Sequence, residues 1–295
     1  MKILIAGCGY VGLALARRLL PLGHQISGWV SSPASAQTLH QAGLHAIMAD
    51  LCDAASWKEH QGNYDCLVYC PSTKGGSAAD YQRIYVQGLQ HALSALHTRA
   101  SHRVFSTSST SVYGQEDGSW VDESSPTHPN TETGALLLEA ESLVLQSGGS
   151  TLRLSAIYGP GRGVLLRRFL DGPTQLPGNP DRFLNQIHRD DAAQALLHFI
   201  EHPELPPGIY NLSDDAPATQ REIYHWLAQT TSRAMPEFSG QALPSKRGQN
   251  HRRISNQKLR LTGWLPRYPS FREGYSDLLR PDSPLTTPPQ PPAST

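Results

Sequence analysis

The chain has 295 residues, 38 % of them hydrophobic, enough to bury a sizeable core as one large α/β unit or as two unequal lobes. Its 25 Lys and Arg balance 25 Asp and Glu, so no overall field steers it to nucleic acid or to an anionic membrane, and a small molecule is the expected partner. No apolar run approaches the roughly 18 to 20 residues that span a bilayer, which argues against a membrane span.

Lys2 to Ala6 is a short apolar run that ends in glycines, and Val11 to Leu22 then carries apolar residues at helical spacing, so the chain opens on strand, turn and helix rather than on a leader peptide. Gly23-His24 closes that helix. Strands are predicted at 25–30, 44–48, 65–70, 103–106 and 151–155, with helices at 34–41, 80–96 and 135–146 between them. Strands that alternate with helices in this way lie in a parallel sheet with helices on both faces, because right-handed crossovers leave no other compact arrangement.

The expected fold is therefore α/β, a Rossmann-type doubly wound parallel sheet over residues 1–160. After Tyr158 the pattern loosens into Gly/Pro-punctuated pieces, with helices near 190–200 and 220–230 and a strand at 209–212. These are read as a smaller, interleaved substrate-binding lobe over 161–280, some of whose elements return to the first unit. Residues 281–295 are Pro, Ser and Thr with almost no apolar content and are expected to be disordered.

The four cysteines, Cys8, Cys52, Cys66 and Cys70, lack the paired spacing of a zinc site and are expected to be free thiols in a reducing cytoplasm. Cys66 and Cys70 fall on one strand face, about 13 Å apart, too far for a disulfide.

Gly7-Cys8-Gly9-Tyr10-Val11-Gly12 places GxGxxG between the first strand and the first helix. There the glycines permit a tight turn, let the backbone approach a diphosphate and allow close helix packing. The helix N-terminus then favours the anion. This predicts a nicotinamide dinucleotide site. An acidic residue about 20 positions beyond the glycines ordinarily bonds the ribose hydroxyls of NAD. Here Val30-Ser31-Ser32-Pro33 stands instead, so nothing repels a 2′-phosphate, and Ser31 and Ser32 can bond it. NADP is expected in preference to NAD. Asp50 and Leu51, after the third strand, are placed to contact the adenine; a loop-capping Asp is the alternative.

Five further segments carry a resemblance. They are Ala49-Asp50-Leu51, the run Phe105-Ser106-Thr107-Ser108-Ser109-Thr110-Ser111-Val112-Tyr113-Gly114, the run Leu152 to Arg162, Ile187-His188-Arg189-Asp190-Asp191-Ala192, and Ile209-Tyr210-Asn211-Leu212. In this order they resemble the extended short-chain dehydrogenase/reductases, of the NAD-dependent epimerase/dehydratase type, over roughly residues 1 to 275. The resemblance implies that Ser109, four residues before the tyrosine of Val-Tyr-Gly, polarises a substrate carbonyl or hydroxyl. The family's usual Tyr and Lys, four apart, fall on Thr133 and Leu137. A lysine's charge lowers the phenol pKa so that it exchanges a proton near neutrality, and neither residue here does that work. The glycines also stand as GxGxxG where extended members show GxxGxxG. The chain thus looks like the atypical, divergent branch of that family.

Tyr113, Thr133 and His188 are the remaining candidates for proton transfer, of which only His188 titrates near pH 7 when unperturbed. Against this, a histidine before an Asp-Asp helix start is more often a structural hydrogen-bonding residue, and the resemblance makes Tyr113 more often a pocket or packing residue. Asp190 and Asp191 at a helix start are read as capping residues rather than metal ligands. The cluster Arg162, Arg167, Arg168, Arg182 and Arg189 fits either an anionic substrate or a solvated face. The resemblance implies an NADP-linked oxidoreductase, epimerase or dehydratase acting on a small polar or nucleotide-sugar-like substrate. The alternative is a cofactor-binding sensor or scaffold that has lost catalysis. A monomer or homodimer is expected.

Overall fold

In the computed structural model, seven strands form one parallel sheet: β1 (Lys2–Ala6), β2 (Gln25–Val30), β3 (His45–Met48), β4 (Cys66–Tyr69), β5 (Val104–Ser109), β6 (Ser150–Leu154) and β7 (Ile209–Leu212). Their order is β7-β6-β5-β4-β1-β2-β3, so the chain reverses direction across the sheet between β1 and β4. The structure describes residues 1–280 except 61, 63, 74, 97–102, 174, 177 and 240–250. The tail expected to be disordered, 281–295, lies outside the described residues.

Both faces of the sheet are covered, as the unbroken apolar runs of its inner strands require. Ile3, Ile5 and Val68 face one layer, with Leu15 and Leu19 from the helix Tyr10–Leu19 and Leu196 and Phe199 from Arg189–Glu201. Leu4, Trp29, Leu67 and Tyr69 face the other, against Leu89 of Gly88–Ala95 and Val144 of Glu132–Gln146. The indole rings of Trp29 and Trp57 stack at 4.1 Å, and their N–H groups donate to the carbonyls of Ala49 and Leu51 at 2.8 Å each. Two indoles thereby fix the loop that follows β3.

Besides several short strands outside the main sheet, the structure departs from the predicted elements as follows. β5 runs on to Ser109, because Ser106 to Ser109 pair in register with Thr151 to Leu154 despite their hydroxyl-rich sequence. The long helix predicted over 80–96 is a helix from Ala78 to Ala95 with a π-helical stretch at Gln82–Gln87. Carbonyls of that stretch are taken by side chains from outside the helix: Cys52 donates to Arg83 O at 3.3 Å, and the Tyr69 hydroxyl to Ile84 O. Four further helices, Ala54–Glu59, Val164–Leu170, Gln257–Arg260 and Phe271–Leu278, are not among the predicted elements.

The second half contributes in two ways. β7 joins the edge of the sheet beside β6, and the helix Arg189–Glu201 covers the sheet beside Tyr10–Leu19. Of the remaining pieces, the one with Leu259 and Trp264 packs into the main core, while several gather around a separate cluster of Tyr158, Leu166, Phe169, Ile223, Tyr224, Phe271 and Tyr275. Tyr158 fits there because residue 274 is glycine; a Cβ at that position would collide with the phenol. All four cysteines are free.

Candidate functional site

β1 and β4 are neighbours whose following connections leave in opposite directions, which opens a crevice at the carboxyl end of the sheet. The glycine loop sits there. Gly7 has φ +82°, and a Cβ on it would lie 2.5 Å from Pro71 Cα and N, so both the turn and the approach of the β4 loop demand glycine. At Gly12 a Cβ would meet Ile5 Cγ2 at 2.9 Å and Cys70 Sγ at 3.1 Å, so the helix packs directly on the strands. At Gly9 the space is open, with Gly7 O at 3.9 Å as the nearest atom. Turn, packing and open approach are thus divided among the three glycines as a diphosphate cradle needs.

The helix Tyr10–Leu19 begins without a side-chain cap and without an acidic residue in its first turn. Its first turn therefore offers N–H groups that no helical carbonyl reaches, which suits an anion. Val11 is buried, while Tyr10 is half-buried and donates its hydroxyl to Pro160 O at 3.0 Å. Burial pushes the Tyr10 phenol pKa up to about 12, against the pull of Arg189 and Arg162, so it remains a neutral donor.

Ser31 is exposed at the end of β2. Ser32 caps the helix Pro33–Gln41: its Oγ accepts from Ser35 N–H at 3.3 Å and donates to Ser35 Oγ at 2.9 Å. Asp50 is exposed; its carboxylate accepts from Cys52 N–H at 2.9 Å and lies 3.4 Å from Arg83. Leu51 is half-buried beside it, its carbonyl held by Trp57.

Of the four expected catalytic residues, Ser109 alone lies at the carboxyl end of a strand of the seven-stranded sheet. It is partly buried, and its Oγ accepts from Ser111 N–H at 3.2 Å, which leaves its own proton available to a ligand. Thr133 sits in the first turn of Glu132–Gln146, with its hydroxyl 3.2 Å from that of Thr131. Leu137, one turn on, is buried among Val112, Tyr113, Val121 and Ile254 and is covered by Tyr81 and Tyr85. No spacing in the sequence signals that cover, because it comes from a different helix.

The geometry around Tyr113 and His188 favours their structural readings over proton transfer. Tyr113 is buried, and its phenol already has both roles filled: it accepts from Arg153 Nη1 at 2.9 Å and donates to Asn211 Oδ1 at 2.8 Å. Burial, the largest influence, raises its pKa, which together with these two bonds favours a packing role over proton transfer.

His188 is 1 % exposed and caps the helix Arg189–Glu201, its Nδ1 accepting from Asp190 N–H at 3.1 Å. Burial lowers its pKa to about 4, so at neutral pH the ring is uncharged and its proton sits on Nε2. That Nε2 is buried with no partner among the described residues.

Asp190 and Asp191 stand in the first turn of that helix, where their charge complements its dipole, but the cap itself is His188. Asp190 pairs with Arg189 at 2.9 Å, and buried Asp191 accepts from the backbone N–H groups of Arg267 and Tyr268 at 2.8 and 3.0 Å. Among the described residues no group of acidic, His or Cys side chains could hold a metal ion, and no helix is long and apolar enough to cross a membrane.

Residues 3–213 match the model of the NAD dependent epimerase/dehydratase family. Protein YeeZ of Escherichia coli K12 is 26 % identical over 245 residues, covering 80 % of this chain and 86 % of YeeZ. The 2-alkyl-3-oxoalkanoate reductase of Stenotrophomonas maltophilia is 28 % identical over 253 residues, covering 77 % of this chain and 74 % of the reductase. A solved structure from Methylobacillus flagellatus, itself only provisionally assigned as an NAD-dependent epimerase/dehydratase, superposes with a TM-score of 0.75 at 34 % identity, covering 94 % of this chain and 97 % of that one.

Proposed function

Since the chain belongs to the NAD-dependent epimerase/dehydratase family, we propose that it is an oxidoreductase or epimerase/dehydratase that moves hydride between a nicotinamide and a small polar substrate. The carrying observation is the division of labour among Gly7, Gly9 and Gly12 beside an uncapped helix start. Such a cradle fits the diphosphate of a dinucleotide. A bound nicotinamide would supply or accept the hydride. Ser109 would donate its O–H to the substrate oxygen and so polarise the carbon that exchanges hydride. The kinship with a reductase of 3-oxoalkanoates favours a carbonyl substrate, and an anionic one suits the arginines of the 161–280 lobe.

Saturable NADH or NADPH binding, measured by fluorescence titration, is expected for the wild-type protein and its loss for Gly9→Asp. Equal behaviour of the two proteins would overturn the reading. For catalysis, NADPH consumption on a panel of 3-oxoacids and nucleotide sugars should fall sharply in Ser109→Ala. Turnover that survives the substitution unchanged would remove Ser109 from the chemistry.

NADP is the proposed preference. No carboxylate follows β2, the helix Pro33–Gln41 has no acidic residue in its first turn, and Ser31 is exposed at its entrance. A tenfold tighter dissociation constant for NADH than for NADPH would refute this.

The second reading is a cofactor-binding sensor or scaffold. It is favoured by Leu137, an apolar core residue where the family carries its lysine, and by Thr133, whose hydroxyl is too weak an acid to replace a phenol. Tight cofactor binding with no turnover across the panel would support it.

A further inference from the structure

Tyr10 ties two loops together. From the glycine loop its hydroxyl reaches Pro160 O at 3.0 Å, and its ring lies under two guanidinium groups, Arg189 at 5.2 Å and Arg162 at 5.5 Å from the centroid. The two cations differ. Arg189 is held by Asp190 at 2.9 Å, so its charge is largely neutralised. Arg162 is exposed and has no carboxylate partner among the described residues.

The loop that carries Arg162 is rigid. Gly159 and Arg162 exchange backbone hydrogen bonds of 2.7 and 2.9 Å, and Gly159 holds φ +146° with no room for a side chain. A Cβ there would meet the Tyr10 hydroxyl at 2.9 Å and His188 Nε2 at 3.2 Å. The buried, unpartnered imidazole N–H of His188 therefore borders the same loop at Gly159. An unneutralised guanidinium and a partnerless buried donor thus both border the side chain of Tyr10, the first residue of the uncapped helix.

We propose that Arg162 is a phosphate-binding residue that reaches a diphosphate from the side opposite the first-turn amides of Tyr10–Leu19. The inference rests on the cofactor-binding reading given above. A guanidinium pairs with two phosphate oxygens in one plane, which a lone lysine cannot do. The diphosphate belongs either to the dinucleotide or to a nucleotide-diphosphate substrate, and both present the same chemistry.

The test is titration of wild type, Arg162→Ala and Arg162→Lys with NADH and, separately, with UDP, alongside thermal melts. In Arg162→Ala, affinity should fall roughly tenfold or more for at least one of the two ligands, with an unchanged melting temperature and partial recovery in Arg162→Lys. Loss confined to NADH assigns the contact to the cofactor, and loss confined to UDP assigns it to the substrate. Unchanged affinity for both, with wild type binding NADH, overturns the role of Arg162 and leaves the cofactor reading standing. Failure of wild type to bind NADH removes both.

Discussion

Glu141 and Arg153 form a buried ion pair in which the guanidinium donates through Nε at 3.0 and 3.2 Å and through Nη2 at 2.7 Å to one carboxylate. The remaining Nη1 goes to the Tyr113 hydroxyl at 2.9 Å, and that hydroxyl goes on to Asn211 of β7. A helix, two sheet strands and the turn after β5 are thereby joined by one chain of polar contacts. Every member has a partner, which is the condition under which such a network stiffens a core instead of weakening it.

Removing one end of this pair should be costly. Glu141→Ala strands the Arg153 charge in the interior and is expected to destabilise the protein by about 3–5 kcal/mol in urea denaturation. Tyr113→Phe leaves Asn211 Oδ1 and Arg153 Nη1 each short of a partner and should cost about 1–3 kcal/mol. NADH affinity is expected to stay at the wild-type value in Tyr113→Phe. A stable Tyr113→Phe protein without turnover would return the residue to the chemistry.

Gly12→Ala tests packing, not ligand approach. Its methyl group would press on Ile5 Cγ2, Cys70 Sγ and Gly7 O, at 2.9, 3.1 and 3.2 Å. Overpacking of this kind costs about 1–3 kcal/mol, so the melting temperature should fall even without cofactor. An unshifted melt would show that helix and strands sit further apart than these distances require.

His188 gives stability a defined response to acid. Its folded pKa, about 4, lies below its unfolded value near 6.5, so the unfolded chain binds the proton more readily. The stabilisation from the neutral ring is complete above pH 6.5 and is lost as the pH falls from there towards 4. Between pH 7 and pH 5 the loss is about 2 kcal/mol. His188→Asn can still accept the Asp190 N–H and cannot titrate, so its unfolding free energy should change less across that interval than that of wild type. Parallel pH profiles for the two proteins would contradict the assignment.

Asp191 anchors the last described segment through two backbone N–H groups, those of Arg267 and Tyr268. Asp191→Ala leaves both donors without their acceptor and should destabilise by about 2 kcal/mol or more. Limited proteolysis should then cut first between residues 260 and 280. Wild-type protease resistance would show that Phe271 and Tyr275 hold the segment unaided.

The glycine loop was legible in the sequence because its requirements are backbone requirements: a turn, a close approach and an open space are met by glycine whatever lies far away in the chain. Most strands of the sheet were legible from apolar runs closed by turn residues. Composition fails as a guide at the end of β5, where Thr107, Ser108 and Ser109 carry no apolar signal; they are strand because β6 pairs with them in register, from Leu152 to Leu154. His188 and Tyr113 were misleading for a different reason. The ring of His188 is covered by Tyr268 and the phenol of Tyr113 is bonded to Asn211, 80 and 98 positions along the chain, and no local pattern carries that information. The cap on Phe271–Leu278 was readable, since Ser270 and Glu273 form a reciprocal capping pair at the spacing that marks a helix start.

The last strand to enter the sheet, β7, arrives more than fifty residues after β6, its only neighbour there. Until it does, an emerging polypeptide presents an unsatisfied row of amides and carbonyls along Ser150–Leu154, a template for pairing with another chain. Shortened forms ending before residue 209 should therefore precipitate during synthesis even though their nucleotide loop is intact, and the length of the product, more than the integrity of the loop, will decide whether it can be recovered.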